Sequence, residues 1–276
     1  MRDKIDCFLP QGESQATEDT VAQLRNNKTV QRVICLDKSL MASSTLMQVA
    51  ENAKAEYVLL LTKPVRVTLG QGSLDRMLRV ASDSNAVMVY SDHIERKEES
   101  GKWKEERHPA IDYYVGSIRD DFDFGSLWLV KTALLHTFAM QAGEHDYQYA
   151  GLYALRLFLS RQGQIFHINE YLYTEEETDL RASGVKQFDY VNPRNREVQI
   201  EMEHAATAHL AAINAKIDPG FYRRPDFNEQ AFDIEASVVI PVYNREKTIL
   251  DAVESALGQK ANFQFNVIVV DNHSTD

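Results

Sequence analysis

The sequence predicts an α/β fold, a sheet flanked by helices, and three observations point to it. Apolar runs of strand length alternate with stretches whose apolar residues recur at helical spacing. Residues 236–271 read as one β-α-β unit, and residues 5–37 repeat its pattern. The chain has 276 residues, 44% of them hydrophobic and 26% charged, enough for one large domain and part of a second.

The later unit is the clearer one. In "SVVIPVYN" an apolar, β-branched run meets Pro241, which cannot donate to a ladder and fits the end of a buried parallel strand. Asn244 then opens a helix with Ile249, Leu250, Val253 and Leu257 on one face, and "FNVIVVD" is a second buried strand ending on Asp271. Parallel strands bring their carboxyl ends to one sheet edge, so Tyr243, Asn244, Asp271 and Asn272 converge where open α/β sheets bind ligands. A carboxylate there accepts from a base imide or a ribose hydroxyl. The same pattern also suits a doubly wound unit that binds no nucleotide.

At the N-terminus, "IDCFLPQGESQATEDTVAQLRNNKTVQRVICLD" runs strand, proline, helix, strand, aspartate. Pro10 stands for Pro241 and Asp37 for Asp271, spaced alike to within three residues. Asp37 is therefore expected to line a pocket with Pro10 and Gln11 across from it. Strands at about 5–9, 32–37, 57–61, 86–91, 125–130 and 165–173 give an α/β domain over 1–185. Residues 186–235 read as a helix and a linker with turn residues, and 236–276 as the first β-α-β unit of a second domain, truncated.

"VVIPVYN" and "VDNHSTD" resemble the start of the family 2 glycosyltransferases, whose GT-A fold is a Rossmann-like, nucleotide-diphospho-sugar transferase mixed sheet flanked by helices. The second turn departs from the family at Asn272 and His273, where a second acid is usual. The resemblance implies a tandem form with a degenerate N-terminal domain, and nucleotide contacts at Pro241, Tyr243, Asn244 and Asp271. In the first copy it carries these to Pro10, Gln11, Asp37, Lys63 and Asp92. The family's metal-binding D-x-D falls on Thr62, Lys63 and Pro64; a lysine cannot ligate a hard cation, so no metal is expected in this domain, and Mg²⁺ or Mn²⁺ is left to a complete second domain. Lys63 either neutralises a diphosphate as a point charge or marks a lost site. Asp92, with His93 beside it, reads as a donor-side acid or as a strand-end cap, and Gly125 as a close approach to a sugar or as a bulge. Glu144 and Asp146, ahead of a helix containing "LRL", take the place of the family's catalytic base; they suit an N-cap equally.

The function so implied is transfer of a sugar from a nucleotide-diphosphate sugar to a glycan, lipid or protein acceptor with inversion. The alternative is a catalytically silent module for acceptor binding or assembly. A dinucleotide enzyme would need a glycine fingerprint that is missing here. A formal charge of −11 argues against nucleic acid and anionic membrane surfaces as partners. Cys7 and Cys35, both in apolar runs without metal spacing, are expected as buried free thiols of a reducing compartment, with a cross-strand disulfide as the alternative. No apolar run reaches the roughly 18 residues of a spanning helix and the N-terminus lacks a signal-peptide core, so a cytoplasmic place, at most against the inner membrane face, is expected. Two strands and a helix bury too little surface to stand alone, so 236–276 is expected to be ordered either by packing on residues 1–230 or by pairing with the same segment of a second chain.

Overall fold

The computed structural model describes residues 4–10, 15–99, 102–141, 146–176, 196–223 and 233–276. The chain divides into two compact units, Met1–Lys216 and Ile217–Asp276.

The first unit begins with β1 (Ile5–Pro10), α1 (Gln15–Arg25) and β2 (Val30–Leu36), the two strands parallel and in register from Pro10 opposite Leu36. After α2 (Ser43–Asn52), β3 (Tyr57–Leu61) adds in parallel on the other side of β1. Further along come β4 (Val67–Leu69), α3 (Ser73–Ser84), β5 (Met88–Glu99), β6 (Lys102–His108), β7 (Leu127–Lys131), α4 (Thr132–Gln141), α5 (Gly151–Gln162) and β8 (Ile165–Glu176). The sheet runs β2-β1-β3-β7-β5-β8-β4, with β6 paired to the outer part of β5. Only β7 among the central strands is antiparallel to both neighbours, β3 and β5, so the sheet is mixed while β1, β2, β3, β5 and β8 share one carboxyl edge.

Alternation along the central strands explains why their side chains are buried on both faces of the sheet. Phe8, Val58 and Leu60 point to one face, under α2, α4 and α5, whereas Cys7, Leu9, Leu59 and Leu61 point to the other, under α1 and α3. Each fully buried leucine contributes about 1.5–3 kcal/mol of transfer free energy, and Leu9, Leu59, Leu60 and Leu61 are 0 to 2% exposed. A third cluster joins Tyr147, Tyr153 and Leu157 to Ala205 of α6 (Arg196–Ala212). That helix therefore packs in the first unit, although it falls in the stretch the sequence sets apart as helix and linker.

Three strand readings change. The strand expected over 86–91 continues to Glu99, and β4 and the wholly charged or exposed β6 are additional. Cys35 is not buried: it lies exposed on the sheet's edge strand, whereas Cys7 on central β1 is buried, and both are free thiols.

The second unit contains β9 (Ala236–Val242), α7 (Glu246–Leu257) and β10 (Phe265–Asp271), a parallel pair in register from Ala236 opposite Phe265 to Val242 opposite Asp271. Its strands are mostly exposed, Val239, Val269 and Val270 among them. No helix among the described residues is long and apolar enough to cross a membrane.

Candidate functional site

In the second unit the loops after the two parallel strands are tied together. Asn244, in the left-handed region at φ 50°, donates its backbone N–H to Ser274 Oγ (2.9 Å), and its side-chain Oδ1 accepts from Thr275 N (2.8 Å). The Asp271 carboxylate accepts from Ser274 N at 3.2 Å and from Ser274 Oγ at 2.5 Å. Asn272 N closes the edge on Val242 O at 2.7 Å. Asn244 and Asp271 thus meet through the 274–275 turn, as parallel strands require, and Pro241 and Tyr243 stand exposed on the same edge.

Residues 237–276 match a family model described as Glycosyl transferase family 2. The match spans β9, α7 and β10. Among the curated proteins none matches the chain. Among solved structures, S. aureus TarS 1–349 in complex with UDP-GlcNAc is 10% identical at a TM-score of 0.47, over 79% of this chain and 68% of that one. The mannosyltransferase PcManGT from Pyrobaculum calidifontis in complex with GDP-Man and Mn²⁺ is 10% identical at 0.43, over 80% and 67%. The first unit's sheet is mixed, with helices on both faces and one antiparallel central strand, the α/β architecture of a sheet flanked by helices that the sequence predicts.

In the first unit the equivalent edge carries different chemistry. Pro10 ends β1 and Asp37 follows β2, exposed, one residue past the Pro10–Leu36 pairing; Gln11 lies outside the described residues. Lys63, just past β3, is half-buried, its Nζ 3.3 Å from Oε1 of buried Glu175 on β8. Glu175 also accepts from Ser126 Oγ. Lys63 thus already faces a carboxylate, and Thr62, Lys63 and Pro64 do not fit a divalent ion.

Asp92 and His93 are not a pair. They sit inside β5, not at its end, and the pleat sends them to opposite faces. Asp92, fully buried, accepts from Ala110 N (2.8 Å) and lies 2.8 Å from His167 Nε2, so it clamps the segment after β6 onto the sheet. His93 stacks between His108 and Tyr173 at centroid distances of 4.5 and 5.2 Å. Burial holds its ring below the usual histidine range, against the opposing pull of the Glu175 carboxylate. Gly125 adopts φ 68°, and the room above its Cα is filled by the Tyr173 hydroxyl and His93, not by open space for a sugar.

A cleft of about 330 Å³ opens beside these residues, lined by Lys63, Asp123, Gly125, Trp128, Tyr153 and Arg156. Arg156, 2% exposed, donates to the carbonyls of Ser117 (2.6 Å) and Arg119 (2.5 Å) and lies 4.8 Å over the Tyr153 ring. Burial lowers its pKa from the usual guanidinium value. It fixes the 117–119 loop, and its signal in the sequence is a lone charge within the apolar helical run "LRLFLS". Asp123 is held below the ordinary carboxylate range: burial acts to raise it, but the Gly125 N–H and the charges of Lys63, His108 and His93 outweigh that. Carboxylates and aromatic rings around one cleft can take a hydroxyl-rich ligand.

Asp146 is exposed and stands five residues before α5, whose N-cap is Ala150 without a side-chain cap; Glu144 lies outside the described residues. The carboxylate at that helix start is instead Glu201 of α6, accepting from the N–H groups of Gln148, Tyr149 and Ala150 at 3.1, 2.7 and 3.1 Å. The N-cap expectation for Asp146 is corrected accordingly, since a carboxylate from a distant helix occupies the place.

Proposed function

We propose that this chain is part of a family 2 glycosyltransferase that moves a sugar from a nucleotide-diphosphate sugar to a glycan, lipid or protein acceptor with inversion. We read it as a tandem protein, with a degenerate first copy over 1–185 and a second copy from 236. The observation that carries this is the family match over 237–276, at whose strand ends Asn244 and Asp271 are joined through one turn. In a direct displacement the acceptor hydroxyl attacks the anomeric carbon, a carboxylate takes its proton, and the nucleoside diphosphate leaves. Asp271 would meet the base or ribose, with Pro241, Tyr243 and Asn244 around it. Asp146 and Glu144 hold the base's place in the first copy, and Asp37, Pro10, Gln11 and Lys63 what remains of its nucleotide pocket. Mg²⁺ or Mn²⁺ would be held by a complete second copy. The same reading places the chain in the cytoplasm, at the inner face of a membrane when the acceptor is a lipid carrier, and lets two chains pair through 236–276.

Calorimetry with a panel of nucleotides and nucleotide sugars, with and without Mn²⁺, tests it. Removing a hydrogen-bonding carboxylate costs about 1.5–3 kcal/mol, so Asp271→Ala should weaken binding roughly 10- to 100-fold. Absence of any nucleotide binding sinks the reading. Binding lost in Asp37→Ala but kept in Asp271→Ala moves the site to the first copy. A glycan bound without any nucleotide would point to the silent acceptor-binding module.

A further inference from the structure

Behind the cleft, the hairpin of β5 and β6 gathers two histidines and a glutamate. His93 and Glu95 are two residues apart on β5 and so share a face, and His108 on β6 is the direct cross-strand partner of His93. One ligand atom from each of the three lies within 4.8 Å of the others.

Two features of this cluster are unexplained by protein contacts alone. His108 Nε2 lies 2.9 Å from Asp123 Oδ2, while its Nδ1 lies 3.2 Å from Glu95 Oε1. If Nε2 donates to Asp123, Nδ1 carries a lone pair and faces a carboxylate oxygen across 3.2 Å. Two acceptors tolerate that contact only with a cation or a proton between them. In addition, His93 is 1% exposed and neither of its ring nitrogens has a hydrogen-bond partner among the described residues. A buried imidazole left in that state costs about 1–3 kcal/mol.

We propose that His93, Glu95 and His108 form a site for a borderline divalent cation, Zn²⁺ by its chemistry. Two imidazoles and a carboxylate suit Zn²⁺, whereas Mg²⁺ and Ca²⁺ prefer all-oxygen sets. Bonds of about 2.0–2.1 Å in a tetrahedron set ligand atoms about 3.3 Å apart, close to the 3.2 Å between His108 Nδ1 and Glu95 Oε1. Asp123 then completes a carboxylate–histidine–metal arrangement, fixing the tautomer and orientation of His108 from outside. The second Glu95 oxygen is held by Lys97 Nζ at 3.0 Å, which steadies the carboxylate. Three protein ligands leave a fourth position for water. Asp123 also lines the cleft, so the ion would brace the cleft wall from behind. Its three ligands lie on β5 and β6, apart in sequence from residues 62–64.

The test is Zn²⁺ titration of the tag-free full chain by calorimetry, with metal content measured after dialysis and Co²⁺ used as a visible-absorption probe. The expected result is about one equivalent of Zn²⁺, no competing Mg²⁺ heat, and a tetrahedral Co²⁺ spectrum. His108→Gln and Glu95→Gln, at partly exposed positions, should abolish it, and Asp123→Asn should weaken it about 10- to 100-fold. Circular dichroism of each variant shows that it is folded, which keeps the result readable if His93→Asn fails to fold. Uptake unchanged in His108→Gln, or no uptake by the natural chain, overturns the proposal.

Discussion

At the scale of single residues, Asp6 shows how a charge is kept inside a sheet. Its side chain is 0% exposed; it accepts from Arg32 Nε at 3.0 Å, from Arg32 Nη2, and from the backbone N–H groups of Lys54 and Ala55 at 2.8 and 2.9 Å. Burial by itself raises the carboxyl's pKa, yet Arg32 and the two N–H groups outweigh it and hold Asp6 below the ordinary range. A carboxyl depressed in the folded state contributes stability that is fully present above its unfolded pKa of about 3.9 and is lost as pH falls through the folded value. Asp6→Ala should therefore cost about 3 kcal/mol in urea unfolding at pH 7, because it strands a partly buried guanidinium and two N–H groups. Asp6→Asn should flatten the decline of the urea midpoint below roughly pH 4. An acid limb as steep in Asp6→Asn as in the natural chain would assign it to other carboxylates. Nothing in the sequence marks Asp6, an isolated acid in "KIDCFLP"; its partners come from 26 and 48 residues away.

At the scale of elements, the sequence reads well where a strand is a largely apolar run and poorly where both of its faces carry charge. β1, β3 and β7 are apolar apart from Asp6 and Lys131 and stand within a residue or two of where they are expected. The outer hairpin is opaque, because its side chains are stabilised across strands and not by burial: Arg96 lies 4.4 Å over the Trp103 ring and His108 Nδ1 lies 3.2 Å from Glu95 Oε1. With that hairpin went His108 and the true setting of Asp92 and His93, so the candidate site was legible only as strand-end residues such as Asp37, Lys63 and Asp271. The packing of α5 on the segment before α2 is equally non-local. Gly151 donates to Met41 O at 2.7 Å, and a Cβ there would meet Met41 O at 2.6 Å and Ser43 N at 2.7 Å, both backbone atoms. Alanine is the better helix former by about 1 kcal/mol, but this overlap should reverse the sign. Gly151→Ala is expected to destabilise by about 1–3 kcal/mol in thermal or urea unfolding; equal or greater stability would show that the two segments can part without cost.

At the scale of the whole molecule, the two β-α-β units differ in what covers them. β1 and β2 belong to an eight-stranded sheet with helices on both faces, whereas β9 and β10 form a two-stranded sheet in which Val239 is 56% and Ile268 42% exposed. These two are cross-strand partners on one face. If two chains pair there, light scattering should give a dimer mass that falls to the monomer in Val239→Glu and Ile268→Glu; a monomer from the outset, or a mass unmoved by both changes, removes that pairing. The two cysteines report on the other unit. Cys7 is buried in central β1, and desolvation, with the neighbouring Asp6 charge, pushes its thiol far above the usual range, whereas Cys35 is exposed on the rim of the same sheet. Since the thiolate is the reactive form, an alkylating reagent should modify Cys35 at once and reach Cys7 only when β1 opens. Mass spectrometry of the second alkylation, followed over time, then becomes a clock for the opening of the sheet's centre, with Cys35 as its internal standard.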